Sequence, residues 1–353
     1  MSPLPSEMGP PPFITPDLSG VGGAIKAEPS HFVVEELPLY MPEGVGPHLY
    51  LRISREGMTT RSLADRLAQV FDLSPRDVGF AGLKDKQAKA VQSFSLPLDS
   101  LAPQQAAQRI QDELPVEVLE AGRHQNKLKT GHLLGNRFTI LVTGVQDGAL
   151  QAAQAVAEAI NQRGLPNFYG SQRFGREGDN AAQGRRALLS RGPRDKWLRK
   201  LLLNAWQAAL FNAWLARRMQ RGDFARLVGG DLAKKTDTGG MFTTDDAAQE
   251  QPRLDAGQIT YTGPMFGKKM RWPNEPAASF EREILEEEEV DQAALKKSGL
   301  MGSRRVGRLR VEGLGIAENP EGLVFSFVLP KGSYATVLLR EFMKSETDLP
   351  ESD

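Results

Sequence analysis

Strand-like segments cluster at the two ends of the chain, and this arrangement constrains the fold more than any other feature. Apolar alternation and short apolar runs predict strands at residues 31–37, 48–54, 91–96, 138–142, 306–311 and 323–329. Helical periodicity dominates the segment between roughly 165 and 312. Because strands need hydrogen-bonded neighbours, we expect one α+β domain made from both chain ends, with a second domain inserted between them.

The domain boundaries follow from length and from helix and turn punctuation. At 353 residues the chain is long for one ordinary domain. Residues 1–22 are rich in Pro and Gly and are predicted to form an irregular arm. We assign residues 23–164 and 313–345 to the first domain and residues 165–312 to the inserted one.

Local patterns predict several individual elements. The longest helix is expected at residues 195–221, with an apolar stripe formed by Trp197, Leu201, Asn204, Ala208, Phe211 and Leu215. Thr60 is expected to cap an earlier helix. Short strands are predicted at residues 78–83 and 127–133, whereas the glycine-rich, weakly patterned segment 229–272 is predicted to be loop.

Composition removes whole classes of functional site. The chain has no cysteine, which excludes disulfides, Cys-ligated zinc or iron–sulfur centres and a thiol nucleophile. Four histidines leave little room for a His-built metal site. The Walker A, dinucleotide-binding, HExxH and GxSxG motifs are absent from the sequence. These observations argue against a nucleotide-dependent, redox or zinc enzyme, and we expect no metal ligands.

The sequence also carries no pattern for a membrane or for export. The longest apolar run, at residues 138–145, is far shorter than a membrane span. The first residues lack the basic start and apolar core of a signal peptide. We therefore expect a cytoplasmic protein.

Charge is segregated along the chain although the totals balance at 44 Lys+Arg and 44 Asp+Glu. Residues 163–200 contain ten Lys or Arg against three Asp or Glu, and residues 296–310 contain six bases and no acid. These basic blocks, the first of which includes Tyr169, Phe174 and Trp197, favour nucleic acid as a partner. Solvated helix faces are the alternative. The acidic run 286–289 is predicted to be solvated surface.

The string GFAGLKDK at residues 79–86 carries the strongest chemical signal. The predicted strand ends at Leu83 and would present Lys84 and Asp85 at its tip. A carboxylate beside two lysines is kept ionised and can act as a nucleophile or base, including at a sugar carbon. A turn residue or a simple ion-pair partner is the alternative interpretation of Asp85.

GFAGLKDKQAKAVQSFS resembles the catalytic motif of the tRNA pseudouridine synthase D family. Further strings resemble other motifs of that family in the same order, namely NFYGSQRFGREGDN (167–180), LLLNAWQAALFNAWLARRM (201–219), DTGGMF (237–242), GPMFGKKM (263–270) and FSFVLPKGSYATVLLREF (325–342). The resemblance runs from about residue 24 to residue 343. It implies a pseudouridine synthase catalytic domain on a mostly antiparallel sheet, with an inserted α+β domain.

The resemblance also implies an activity. The family isomerises one uridine of RNA to pseudouridine without a cofactor or metal, and in bacteria it acts on uridine 13 of tRNA(Glu). The N1–C1′ bond breaks, the base turns, and C5 joins C1′. Carried over by motif, Asp85 is the catalytic aspartate and Lys84 its neighbour. Phe32, Asn136 and Phe138 line the active site, with Phe138 stacking on the base.

Other assignments are weaker. Arg173 and Arg176 are predicted to contact phosphate, with an ion pair at a helix start as the alternative. The remaining basic residues predicted to bind RNA are Lys86, Arg304 and Arg305. Without the resemblance, Asn136 and Phe138 would be interpreted as a strand turn and a core aromatic. We expect tRNA as the partner, no protein partner and a monomer.

Two other functions stay open on the sequence. One is a non-catalytic RNA-binding or chaperone protein on the same scaffold. The other is a hydrolase that pairs Asp85 with a second carboxylate, for which Glu35 and Glu36 are the nearby candidates by pattern.

Overall fold

A computed structural model of the chain describes residues 4–7, 9–25, 28–190 and 192–345. The chain forms two compact units. The sheet unit comprises Gly20–Gln154, Glu312–Ala335 and the residues from Phe342 onward. The helical unit comprises the residues up to Ser19, Ala155–Val311 and Thr336–Glu341.

The elements are as follows. The strands are β1 (Gly22–Ile25), β2 (Phe32–Pro38), β3 (His48–Arg55), β4 (Gly79–Phe80), β5 (Lys89–Leu96), β6 (Glu117–His124), β7 (Leu133–Val145), β8 (Leu165–Pro166), β9 (Leu232–Lys235), β10 (Met241–Thr243), β11 (Ile259–Met265), β12 (Ser303–Val306), β13 (Arg308–Leu309), β14 (Glu312–Asn319) and β15 (Gly322–Pro330). The helices are α1 (Thr60–Val70), α2 (Pro103–Glu113), α3 (Ala149–Arg163), α4 (Asn180–Leu189), α5 (Lys196–Gln220), α6 (Ala247–Asp255), α7 (Ala277–Glu287), α8 (Gln292–Ser298) and α9 (Ala335–Met343).

One nine-stranded sheet organises the sheet unit. Its main order is β14-β15-β7-β2-β5-β3-β6, with β1 added to β7 and β4 to β5. Among the described strands of this sheet, β2 and β5 pair in parallel and the other pairs are antiparallel. The C-terminal strand β15 pairs with β7 from Gly322 to Pro330. The predicted α+β fold, with a mostly antiparallel sheet built from both chain ends, is confirmed.

Helix α1 packs its apolar face on this sheet through Leu63 and Leu67, which are fully buried against Leu51 and Phe94. The N-cap residue of this helix lies one position earlier in the sequence than predicted. Thr59, rather than Thr60, is the cap, because its Oγ1 accepts a hydrogen bond from the Ser62 N–H at 3.1 Å. The hydroxyl of Thr60 is left for a different set of contacts.

Two strands predicted around the GFAGLKDK string are much too long, because only Gly79–Phe80 of residues 78–83 and Leu133 of residues 127–133 lie in strands. Strand β4 stops at Phe80, so residues 81–88 form a loop, and residues 127–132 form another loop before β7. In the first loop, the carbonyl oxygens of Gly82 and Lys84 accept side-chain hydrogen bonds from Gln92 and Arg55. These side-chain donors replace the backbone partners that a continuing strand would need.

Helix α5 forms the centre of the helical unit. Asp195 caps it, accepting from the Leu198 N–H at 2.7 Å, and Trp206, Phe211 and Trp214 are buried along its length. The predicted stripe is wrong at its first member, since Trp197 is 64% exposed. The buried part of α5 begins at Leu202, so the first turn extends beyond the core.

The segment 229–272 is also structured, contrary to the prediction of a loop. It contributes β9, β10, β11 and α6, and a four-stranded sheet has the order β10-β9-β11-β12. Strand β12 is distant in sequence from β11, so the local residue pattern of segment 229–272 does not reveal that β11 pairs with β12. Gly263 of β11 is needed for packing, because a Cβ there would lie 2.3 Å from Cζ3 of Trp214.

The acidic run is not wholly solvated, so that prediction is wrong at Glu288. Glu286, Glu287 and Glu289 are exposed, but Glu288 is fully buried. Its carboxylate accepts hydrogen bonds from Trp206 Nε1 at 2.9 Å and from the Ser6 N–H at 2.6 Å. Ser6 belongs to the N-terminal segment, whose residues 1–3 and 8 lie outside the described part.

No helix among the described residues is long and apolar enough to cross a membrane.

Candidate active site

The loop at residues 81–88 holds Lys84 and Asp85, and three buried side chains of the sheet unit fix its backbone. Arg55 at the end of β3 donates to the carbonyl oxygens of Lys84 at 3.0 Å and Asp85 at 3.4 Å. Gln92 of β5 donates to the carbonyl oxygen of Gly82. Arg55 and Gln92 lie on the same face of the sheet, since Ile53 pairs with Gln92 and Arg55 with Ala90.

The Thr60 hydroxyl joins these groups into one network. Its Oγ1 accepts from the Lys84 N–H at 2.9 Å and from Arg55 Nη2 at 3.2 Å, and it donates to Gln92 Oε1 at 3.0 Å. Thr60, Arg55 and Gln92 are each 1–2% exposed. Buried hydrogen bonds of this kind restrict the backbone, so the loop is presented in one defined conformation.

Arg55 also brings a buried positive charge to Asp85. Burial lowers the pKa of Arg55 to about 10, and the negative charge of Asp85 acts in the opposite direction. The guanidinium therefore stays protonated at neutral pH. Because electrostatic attraction is mutual, the Arg55 cation stabilises the half-buried Asp85 carboxylate.

Lys84 makes a buried ion pair with Glu36 of β2. Its Nζ lies 3.0 Å from Glu36 Oε2, and the two side chains are 5% and 1% exposed. The other carboxylate oxygen of Glu36 accepts from the Ser93 N–H at 3.3 Å. This pair anchors the loop to the sheet at Lys84, immediately before Asp85.

The candidates for a second catalytic carboxylate are both engaged elsewhere. Glu36 is buried against Lys84, while Glu35 points to the opposite face of the sheet, where it pairs with Arg52 and Arg137. A carboxylate held by arginines on the other face cannot share a substrate with Asp85. This arrangement argues against the hydrolase alternative.

Three aromatic side chains, those of Phe32, Phe138 and Phe327, lie on the same sheet face as Glu36. Phe32 and Phe138 are in edge-to-face contact with ring centroids 6.1 Å apart, and Phe327 of β15 stacks on Phe138 at 5.3 Å. The registers agree, since Phe138 is paired with Val34 on one side and with Phe327 on the other. The structure thus brings the predicted Phe32 and Phe138 together.

Asn136 lies two residues before Phe138 on β7, so its side chain is on the same face. It is paired with Glu36 of β2 and Leu329 of β15. Its Oδ1 is buried and accepts no hydrogen bond from any described residue. An unsatisfied buried acceptor costs free energy, so this position favours a ligand that carries an N–H donor.

Sequence reasoning missed the supporting residues. From the sequence Glu36 is a candidate only for a second carboxylate, and Phe327 stands inside the string FSFVLPKGSYATVLLREF, but the contacts of both residues depend on strand register. Gln92 stands inside the string GFAGLKDKQAKAVQSFS, whereas Arg55 and Thr60 lie outside it, up to 37 residues before Gln92. Only the pairing of β3 with β5 brings them to one loop.

The predicted RNA-binding arginines of β12 serve packing in the helical unit. Arg304 and Glu281 form an ion pair at 2.6 Å, with both side chains 2% exposed. Arg305 donates to the Asn167 carbonyl oxygen at 3.0 Å and lies 3.9 Å from the Tyr169 ring centroid. Their guanidinium groups are committed to these contacts, and we leave both out of the proposed RNA surface.

The other basic candidates are more accessible. Arg173, on a short 3-10 turn at Ser171–Phe174, is half-buried, and its guanidinium lies 5.8 Å from the Tyr169 ring centroid. Its Nε is buried without a hydrogen-bond partner among the described residues. Arg176 of the helical unit and Lys86 of the sheet unit are exposed.

Known proteins match this chain along nearly its whole length. The family model described as tRNA pseudouridine synthase D (TruD) matches residues 9–191 and 185–342. A tRNA pseudouridine synthase D from Anaeromyxobacter sp. (strain Fw109-5) is 45% identical, covering 97% of this chain and 98% of the relative. One from Thermus thermophilus is 43% identical, covering 95% of this chain and 92% of the relative.

A crystal structure assigned to tRNA pseudouridine synthase D from Methanosarcina mazei has the same fold. Its TM-score is 0.75 at 23% identity, and the match covers 95% of this chain and 96% of that one. The matches define the class as pseudouridine synthases, isomerases that convert uridine to pseudouridine. Because the family model and the relatives cover nearly all of it, the chain belongs to the tRNA pseudouridine synthase D family. The family predicted from the motifs is confirmed.

Proposed function

We propose that this chain isomerises uridine 13 of tRNA(Glu) to pseudouridine in the cytoplasm, with Asp85 as its one catalytic carboxylate. The observation that carries the proposal is the buried network of Arg55, Thr60 and Gln92, which holds the Asp85 loop in one conformation. A binding protein would gain little from a buried cation beside Asp85 and a rigid loop around it.

The side chains of Phe32, Phe138 and Asn136 suit a uracil ring. Phe32 and Phe138 supply apolar ring contacts, and Phe327 supports Phe138 from β15. The buried, unpartnered Oδ1 of Asn136 matches the N3–H donor of uracil. The reacting nucleotide must leave the RNA stack to reach these side chains, and stacking on an aromatic ring offsets part of that cost.

The isomerisation balances without a co-reactant. The N1–C1′ bond breaks, C1′ bonds to C5, the C5 proton leaves to solvent, and N1 gains a proton. Asp85 can serve by attack at C1′, by attack at C6, or by removing the C2′ proton, and each route depends on the same carboxylate.

The Asp85→Asn variant tests the catalytic role. We expect tritium release from tRNA labelled with [5-³H]uridine to be abolished, because the neutral amide can act neither as nucleophile nor as base. Asp99→Asn is the matched control, since Asp99 is an exposed aspartate of the same unit, and it should release tritium at the wild-type rate. Turnover by Asp85→Asn would contradict the assignment.

The position of the modified uridine is tested by mapping pseudouridine in the tRNA. Carbodiimide modification and primer extension of tRNA(Glu) treated with the enzyme should give one new stop, immediately 3′ of residue 13. A transcript with cytidine at position 13 should give none. A stop elsewhere would refute the site assignment, and tRNA binding without any stop would favour the RNA-binding alternative.

A further inference from the structure

Trp197 is a large aromatic side chain without a packing role. It is 64% exposed in the first turn of α5, whereas Trp206 and Trp214 of the same helix are 0% and 1% exposed. The core of the helical unit begins on α5 only at Leu202. Together with Leu198, which is 37% exposed, Trp197 presents an apolar surface in the first turn of α5.

Cations surround Trp197 on the same helix. Lys196 and Lys200 are four residues apart and Trp197 and Lys200 three apart, so the three side chains share one side of α5. Lys196, Lys200 and the preceding Arg194 are exposed, and among the described residues they have no ion pair or side-chain hydrogen bond. The nearby carboxylate of Asp195 already accepts from the Leu198 N–H.

Helix stability does not explain these lysines. The first turn of α5 contains no acidic residue, although the positive end of the helix dipole favours acids there and disfavours cations. Lys196, in the first turn, therefore opposes the dipole of its own helix.

The second basic block meets the first at this surface. Arg199 Nη1 donates to the carbonyl oxygen of Ser298 at 3.2 Å, which joins the last turn of α8 to the first turn of α5. Lys296 and Lys297 of that last turn are exposed. Two segments about 100 residues apart in sequence are joined through Arg199, and each carries exposed lysines.

We propose that Trp197, with Arg194, Lys196, Lys200, Lys296 and Lys297, forms a tRNA-binding surface separate from the reacting uridine. An unpaired base stacks on the indole, and the cations contact the flanking phosphates. Aromatic faces combined with cations suit single-stranded nucleic acid. Protein interfaces are depleted in lysine, so the excess of lysines disfavours a protein partner. The proposal rests on the proposed function only in taking tRNA as the substrate.

The first test measures tRNA binding by filter binding with the full-length chain and a tRNA(Glu) transcript. Trp197→Ala should raise the Kd roughly tenfold, the loss expected for one stacked base. Trp197→Phe should keep most of the affinity because it keeps an aromatic face. In the wild type, tRNA should quench the indole fluorescence and protect it from iodide, and Trp197→Phe should remove that change.

The second test separates a functional role from a structural one. Lys196→Glu should raise the Tm slightly by complementing the helix dipole. Lys196→Glu and Lys200→Glu should each reduce the slope of log Kd against log salt by about 0.7–0.9. Lys235→Glu, at an exposed lysine at the end of β9, should leave the Kd and the slope unchanged.

An unchanged Kd in Trp197→Ala, or an unchanged salt slope in both lysine variants, would overturn the proposal. Failure of the proposed function looks different. In that case the wild type would bind tRNA with the Trp197 dependence described but release no tritium from it.

Discussion

At the scale of single residues, two adjacent threonines have different roles, because Thr59 makes a local hydrogen bond and Thr60 makes long-range ones. Thr59 caps α1 through one hydrogen bond to the Ser62 N–H, a contact within four residues. Thr60 instead bonds Arg55, Lys84 and Gln92, which come from three other segments. Substitutions at the two positions should therefore separate helix stability from loop positioning.

Thr60→Val should lower kcat for tritium release by up to about 100-fold, because a loop displaced by a fraction of an ångström misaligns Asp85. It should also cost about 1–3 kcal/mol of unfolding free energy, since buried partners lose a hydrogen bond. Thr59→Val is the control, and it should cost about 1 kcal/mol through the lost cap with kcat unchanged. Equal kcat in the two variants would remove Thr60 from the positioning network.

At the scale of elements, glutamates and arginines from different helices and strands of the helical unit form ion pairs. Glu281 of α7 pairs with Arg304 of β12, Glu287 with Arg217 of α5, and Glu288 with Arg185 of α4. Glu281, Glu287 and Glu288 thus neutralise arginines from three other elements. The cations around Trp197 are among those that these glutamates do not pair with.

Glu281→Gln should destabilise the chain by about 3–5 kcal/mol in urea unfolding, because Arg304 would stay buried without a counter-charge. The double variant Glu281→Leu with Arg304→Met should recover most of that loss. Glu287→Gln is the matched control, as its ion pair with Arg217 is partly exposed, and it should cost less than about 1 kcal/mol. A loss of similar size in Glu281→Gln and Glu287→Gln would contradict a dominant role for burial.

At the scale of the whole molecule, the N-terminal segment is tied to residues that are hundreds of positions away. Ser6 donates to Glu288 from both its N–H and its hydroxyl. Ile14 and Thr15 donate to the Glu341 carboxylate of α9 at 2.9 and 3.0 Å. All of these residues belong to the helical unit, so the arm completes the hydrogen bonding of two carboxylates that are 0% and 3% exposed.

Deletion of residues 1–19 should therefore destabilise the helical unit. We expect a loss on the order of 3 kcal/mol, since two buried carboxylates lose charge-assisted hydrogen bonds. The measurement is the Tm by calorimetry. Ser6→Ala, which removes only the hydroxyl bond to Glu288, should show a smaller shift. A deletion variant with the wild-type Tm would show that the arm is dispensable for the fold.

Much of the fold could be predicted because hydrophobic periodicity is a local property. Strands β2, β3, β5 and β15 and helices α1 and α5 lie where their own apolar spacing predicts them. The string around Asp85 and five further strings identified the family without any structural information. The predicted apolar stripe on α5 was wrong only at Trp197, where the helix extends beyond the hydrophobic core. Hydrophobic periodicity does not reveal where along a helix the packing ends.

The sequence by itself determined strands β2, β3, β5 and β15, helices α1 and α5, the family and the position of Asp85, since each depends on residues that are neighbours along the chain. Only the tertiary structure decided which charges are buried. Glu36, Glu281, Glu288 and Arg304 look like surface residues in the sequence, yet each is enclosed with a partner. Their partners lie between 23 and 103 residues away, and a buried charge is tolerated only where folding brings such a partner to it.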